Sequence, residues 1–142
     1  MSGTRCLRSG TRRGHGAAYD AGVPPRRRVP VAAGRTAVER WRTARLETAR
    51  DDLATAVRYT LEELSTVAPG RSVEVRVPPY GAVQCVTGTT HTRGTPPNVV
   101  ETDAQTWLQV ATGVVSWQEA WDAGSLRVSG HRADLDRYLP LA

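Results

Sequence analysis

The last third of the chain, residues 97–142, carries a strict order of helix signals that limits what it can fold into. Asp103 follows a short β-branched run and is a favourable N-cap for a helix over residues 104–112. Ser116 and Glu119 form an S-x-x-E capping box that opens a second short helix. The segment is therefore predicted to fold as a short strand followed by two capped helices.

Glycines and a final strand complete this C-terminal pattern. Gly113 and Gly124 stand at the ends of the two predicted helices, where a left-handed backbone favours glycine. Residues 125–129 alternate like a strand, and residues 132–141 are predicted to form a terminal helix. Two short helices with three tryptophans would lie as an apolar lid on a sheet, which suits binding of an apolar ligand better than catalysis.

The middle of the chain predicts two helices followed by strands. Apolar residues recur at three- and four-residue steps over about 36–48 and 51–67. Alternating valines over 73–77 predict a half-buried strand, and the more apolar run 80–86 predicts a central strand. With a short strand near His91 and the two C-terminal strands, the expected fold is α+β: a mixed sheet of about five strands covered by helices on one face.

Charge divides the chain into a tail and a domain. Residues 1–50 contain twelve arginines against three acids, a net charge of +9, whereas residues 51–142 have a net charge of −4. Residues 1–34 are dense in Gly, Arg, Ser and Pro without an apolar period, so we expect a disordered tail before one domain over residues 35–142. The arginine runs could contact phosphates of nucleic acid or membrane, although a solvated tail is the simpler interpretation. Because the domain is acidic, we do not expect it to bind nucleic acid through its folded surface.

The targeting signals and cysteines favour a cytoplasmic protein. No window approaches the roughly 18 apolar residues of a transmembrane segment. No charged n-region and apolar h-region mark a signal peptide. Cys6 and Cys85 do not make a disulfide framework and are expected to be free thiols in a reducing compartment.

Residue types that support catalysis are present but are not arranged for it. Cys85 and His91 have the identities of a thiol nucleophile and its base, but Cys85 stands in an apolar strand with nothing to activate its thiol. His91, His131 and Asp134 lack the local spacing of a metal site. No GxGxxG or P-loop is present. We therefore expect no enzyme activity, no cofactor and no metal.

The polar loop that ends at Asn98 allows two interpretations. Arg93, with Thr92 and Asn98, could bind a carboxylate or phosphate head group at the mouth of a pocket. Alternatively, Arg93 pairs with Glu101 or Asp103 and only fixes the loop.

The order and spacing of these elements resemble the sterol carrier protein family, in its small bacterial branch. The resemblance covers roughly residues 50–142 and is carried by the stretches 71–80, 91–98, 99–108, 111–113, 117–120, 123–124 and 126–130. It implies an apolar cavity between the sheet and the C-terminal helices, and non-catalytic binding of a lipid, fatty acid or sterol-like molecule. By the same resemblance the expected lining residues are Trp107, Leu108, Ala111, Trp117, Trp121, Leu135, Tyr138 and Leu139.

The tryptophan content leaves a second function open. Trp107, Trp117 and Trp121 could fill the cavity themselves, and the same fold would then serve as a scaffold or interaction module for a protein partner. An empty apolar cavity favours the carrier. A filled core with an exposed apolar patch of a few hundred Å² favours the interaction module.

Overall fold

The computed structural model of the chain describes residues 26–88 and 97–142. Four α-helices and four strands are present there, with short 3-10 turns at Arg45–Glu47 and Asp136–Tyr138. In chain order the elements are α1 (Val31–Ala44), α2 (Arg50–Val67), β1 (Val73–Val77), β2 (Gly81–Cys85), β3 (Asn98–Glu101), α3 (Ala104–Ala111), α4 (Trp117–Asp122) and β4 (Arg127–Ser129). No helix in the described ranges is long and apolar enough to cross a membrane.

The strands form one mixed sheet in the order β2-β1-β3-β4. β1 pairs antiparallel with β2 and parallel with β3, and β4 pairs antiparallel with β3. The three valines of β1 are fully buried, and Val75 lies beside the equally buried Val100 of β3. Glu74 and Arg76 point to the opposite face, where Arg76 is exposed. One face of the sheet is therefore apolar and the other polar, as the alternation of β1 predicts.

Helices cover the apolar face. α1 packs on α2, α2 contacts β2 and α3, and α3 contacts α4. Buried side chains from the sheet and all four helices form one core. We use the name apolar layer for the C-terminal part of this core. It consists of the core side chains that α2, α3, α4 and residues 133–141 pack against the sheet. The predicted α+β class and the helical cover are thus confirmed.

Two details of the predicted sheet differ from the structure. The described residues form four strands, so the expected fifth is not confirmed, and the strand expected near His91 lies outside the described residues. Among the described strands β2 lies at one end of the sheet, because β3 pairs with the other side of β1. The helix α2 packs on β2, which accounts for the apolar composition of residues 80–86.

The packed part of the chain also begins before residue 35. α1 starts at Val31 and not near residue 36, and Val29 is only 8% exposed. The backbone N–H groups of Arg28 and Val29 donate to the two carboxylate oxygens of Glu62 on α2, at 3.0 and 3.2 Å. Residues just before α1 therefore have tertiary contacts that the composition of the segment does not indicate.

The predicted terminal helix over residues 132–141 is wrong. Only the 3-10 turn Asp136–Tyr138 forms, and Leu139 after it has an extended backbone. Pro140 supplies no N–H and disfavours a helical conformation in the residue before it. The N–H of Leu141 instead donates to the carbonyl oxygen of Ala111 at 2.7 Å, so the segment packs against the C-terminal end of α3.

Candidate functional site

α3 is held at its start by Asp103, as predicted. The Asp103 carboxylate accepts hydrogen bonds from the backbone N–H of Thr106 at 3.0 Å and from its hydroxyl at 2.7 Å. Burial alone would raise the pKa of Asp103, but the hydrogen bonds from Thr106 and from the Gln105 backbone favour the charged form and lower it overall. The cap fixes where α3 begins over the sheet.

α4 is held at both ends, also as predicted. The Ser116 hydroxyl accepts from the Glu119 backbone N–H at 3.2 Å, and the Glu119 carboxylate accepts from the Ser116 backbone N–H at 2.8 Å. The hydrogen bond from the Ser116 backbone N–H favours the charged carboxylate and lowers the pKa of Glu119. Gly113 and Gly124, with φ of 77° and 70°, end α3 and α4. Six residues of helix are thereby fixed between two turns.

Most of the expected lining residues lie together in the apolar layer. Five of the eight are buried, namely Trp107, Leu108, Ala111, Trp117 and Leu135. Tyr138 and Leu139 are partly buried and pack against that core. Trp121 is 45% exposed. Its ring centroid lies 6.3 Å from that of Trp117, so the exposed indole continues the buried one at the surface of α4.

Two of the clefts in the described part of the chain contain none of the expected lining residues. One cleft, of about 510 Å³, lies between α1, the start of α2 and the segment that joins them. It is lined by Thr36, Glu39, Arg40, Thr43, Ala44, Thr48, Ala49 and Asp52. The other, of about 430 Å³, is more polar and is lined by Pro78, Glu101, Thr102, Asp103, Gly124, Ser125 and Arg127. In this structure the buried residues expected to line a cavity pack as core side chains.

The polar residues expected at a pocket mouth are only partly described. Thr92 and Arg93 lie outside the described residues. Asn98 is buried, its Nδ2 donates to the carbonyl oxygen of Ser72 at 3.0 Å, and its Oδ1 accepts from the backbone N–H of Arg132 at 3.1 Å. Both ends of the Asn98 side-chain amide thus connect β3 to the backbone, at Ser72 and at Arg132.

The candidate nucleophile is buried. Cys85 is a free thiol at the end of β2, and burial raises its pKa to about 12. The thiol is therefore protonated at neutral pH, which disfavours nucleophilic attack. His91 lies outside the described residues. Among residues 26–88 and 97–142, no group of three or more His, Cys, Asp or Glu side chains could hold a metal ion.

The sequence gives no indication of the hydrogen-bond acceptors of two tryptophan side chains. Trp107 Nε1 donates to Thr60 Oγ1 at 2.9 Å, and Trp41 Nε1 donates to Gln105 Oε1 at 2.8 Å. Trp41 itself belongs to the apolar pattern of α1, but its partner on α3 lies 64 residues away. Only the packing of α3 against α1 and α2 brings these groups together.

A mixed sheet covered by helices, with an apolar layer beneath two capped C-terminal helices, defines a small α+β domain. Residues 49–141 match a family described as bacterial SCP orthologs, where SCP denotes sterol carrier protein. The chain belongs to the sterol carrier protein family. The match begins just before α2 and includes the whole sheet and α3 and α4. The comparison with curated proteins gives no match.

Proposed function

We propose that this domain is a non-catalytic carrier that binds a lipid, fatty acid or sterol-like molecule in the apolar layer. The observation that carries the proposal is the family match over residues 49–141, which includes the elements that form that layer. We also propose that the protein uses no cofactor and acts in the cytoplasm, where its thiols stay reduced.

The chemistry of the described core supports binding in preference to catalysis. The thiol of Cys85 is protonated, and the buried hydroxyl of Thr60 is engaged by backbone carbonyls and by Trp107. The remaining side chains of the apolar layer are chiefly aliphatic and aromatic. Such a surface attracts an apolar ligand but supplies no acid, base or nucleophile to transform it.

A ligand would have to displace part of the layer, because Trp107 and Trp117 are buried in it. The C-terminal residues after the last 3-10 turn are the simplest part to move, since they belong to no helix or strand and Leu139 is only partly buried. Burial of about 300 Å² of apolar ligand gives roughly 7 kcal/mol of gross stabilisation. Ordering of ligand and protein reduces this figure, so we expect micromolar affinity.

Separate substitutions of two leucines, one in the apolar layer and one exposed, test this proposal. Delipidated protein is titrated with a fluorescent fatty acid and a fluorescent sterol while tryptophan emission is recorded. Leu139→Gln should weaken saturable binding, because Leu139 packs against the core. Leu46→Gln is the matched control, since Leu46 is 83% exposed in the turn after α1. Equal affinities of the two folded variants, checked by circular dichroism, would contradict a site in this layer.

The exposed Trp121 favours a second candidate, an interaction module with a protein partner. Val114, in the turn before α4, is also exposed. If the module is the function, intact wild-type protein binds no lipid saturably, and Trp121→Ala leaves its stability nearly unchanged while weakening association with the partner. If the carrier is the function, Trp121→Ala changes lipid affinity, because its ring adjoins Trp117.

A further inference from the structure

The turn after α1 is strained at an arginine. Arg45 follows the last residue of α1 and has φ 50° and ψ −115°. A residue with a side chain rarely adopts positive φ, and such strain persists only where surrounding contacts maintain it.

Those contacts join the turn to α3. The carbonyl oxygen of Arg45 accepts from the Thr48 hydroxyl at 2.6 Å and from Gln105 Nε2 at 3.3 Å. The other end of the Gln105 amide accepts from Trp41 Nε1 at 2.8 Å. The backbone of Arg45 is therefore held by α3 and by the turn before α2.

The side chain of Arg45 is held as well, but one of its donors is unused. Its guanidinium carbon lies 4.4 Å from the ring centroid of Trp41, which is fully buried. Arg45 Nη1 is buried and has no hydrogen-bond partner among the described residues. A buried charged donor without an acceptor is costly, and folded proteins rarely retain one without a ligand, ion or water to accept from it.

Arg42 lies in the last turn of α1, three residues before Arg45. Its Nη2 donates to the carbonyl oxygen of Ala142 at 3.0 Å. Its Nε lies 3.2 Å from a carboxylate oxygen of Glu39 but makes no hydrogen bond. Both arginines lie at the carbonyl end of α1, where the helix dipole favours positive charge. Arg42 thus already binds one oxygen atom, and each of the two arginines has one buried nitrogen without a hydrogen bond among the described residues.

Arg42 is connected to the apolar layer through Ala142. The backbone N–H of Ala142 donates to the carbonyl oxygen of Ala111 at 3.3 Å, while its carbonyl oxygen accepts from Arg42. One residue therefore contacts both the C-terminal end of α3 and a guanidinium group. A molecule that replaced these C-terminal residues could place its apolar part in the layer and its polar end against the arginines.

We propose that Arg42 and Arg45 form a binding site for an oxyanion, the carboxylate or phosphate head group of an acidic amphiphile. Arginine donors match both groups, and hydrogen bonds between charged partners are the strong ones. The choice of an amphiphile as the ligand rests on the proposed function, whereas the oxyanion site itself does not depend on it.

The experiment compares an acid with its matched alcohol. Binding of dodecanoate and of 1-dodecanol to delipidated full-length protein is measured at pH 7.5 and low salt, below the micellar concentration. The wild type should bind dodecanoate at least about tenfold more tightly, as expected for one charge-assisted hydrogen bond. Arg45→Gln should abolish this preference. Arg35→Gln is the control, because it removes an equal charge from an exposed position on α1.

A second measurement separates this proposal from the carrier function. Inorganic phosphate should raise the melting temperature of the wild type and of Arg35→Gln, but not of Arg45→Gln. If Arg45→Gln does not fold, Arg42→Gln takes its place in both measurements. Equal affinities of the wild type for acid and alcohol would overturn the oxyanion site and leave the carrier intact. Stabilisation by phosphate without binding of either amphiphile would support the site and contradict the carrier.

Discussion

The indole N–H of Trp107 donates a hydrogen bond of 2.9 Å to the hydroxyl of Thr60, and the two residues are 1% and 0% exposed. The hydroxyl lies 2.9 Å from the Ala56 carbonyl oxygen, to which it can donate its own hydrogen. α3 is thereby attached to α2 through a polar contact inside an otherwise apolar layer. Because the indole N–H and the hydroxyl both have hydrogen-bond partners, the side chain of Trp107 is held in one position within that layer.

Thr60→Val should therefore destabilise the domain by about 1–3 kcal/mol, because the buried indole N–H loses its acceptor. Urea unfolding measures the change. Thr60→Ser keeps the hydroxyl and should restore much of the loss. Trp107→Phe removes the donor, so adding Thr60→Val to it should cost less than it does alone. An unchanged midpoint in Thr60→Val would contradict the importance of this contact.

A second prediction concerns the start of the packed chain. A protein that begins at residue 35 lacks Val29, the first turn of α1 and the backbone donors to Glu62. Its melting temperature should fall by at least about 5 °C, since even one buried valine contributes about 1.5 kcal/mol or more. A protein that begins at residue 26 keeps these contacts and serves as the control, with an expected melting temperature close to that of the full chain. Equal melting temperatures for all three would show that residues 26–34 add no stability.

Acid should weaken the start of α3. The pKa of Asp103 is lower in the folded protein than its ordinary value of 3.8, so its contribution is fully present above that value. It is lost as the pH falls through the lowered folded pKa. Asp103→Asn keeps a capping oxygen without the charge and should show a shallower loss of stability in acid. Asp103→Ala should cost about 1 kcal/mol already at neutral pH. If denaturant melts of Asp103→Asn and the wild type have the same acid dependence, the charge at this cap has no role.

The thiol of Cys85 should be inert in the folded protein. Its pKa is raised to about 12 by burial, and the side chain is unexposed. In a Cys6→Ser variant, iodoacetamide at pH 8 should react only as the protein unfolds, so the rate should rise with urea in parallel with unfolding. Rapid alkylation in native buffer would show that β2 opens readily, and it would reopen the question of catalysis.

The elements that sequence predicts best depend on contacts within a few residues. Asp103 and Ser116 cap their helices through groups only three positions away, so the local pattern contains the whole interaction. The left-handed glycines after α3 and α4 are local in the same way. Pro140 is a local signal too, because it lacks a backbone N–H and disfavours a helical conformation of Leu139, near the end of the predicted terminal helix.

The remaining features depend on contacts between distant segments. The place of β2 at the end of the described strands follows from the pairing of β3 with β1, which no pattern within β2 specifies. In sequence, Val29 and the arginines around it have the composition of a disordered tail. Only the fold shows that Glu62 of α2 contacts this segment. The arrangement of Arg45 with Trp41 and Gln105 likewise joins three segments, and a charged residue at the end of a helix gives no local indication of it.

Binding of an apolar ligand by intact protein is the most direct test of the carrier function. Delipidated, folded full-length protein is titrated with a sterol, a fatty acid and a phospholipid, and native mass spectrometry counts the bound molecules. We expect at least one of these lipids to bind saturably, with micromolar affinity and one molecule per chain. Absence of saturable binding across all three classes would contradict the carrier and leave the interaction module.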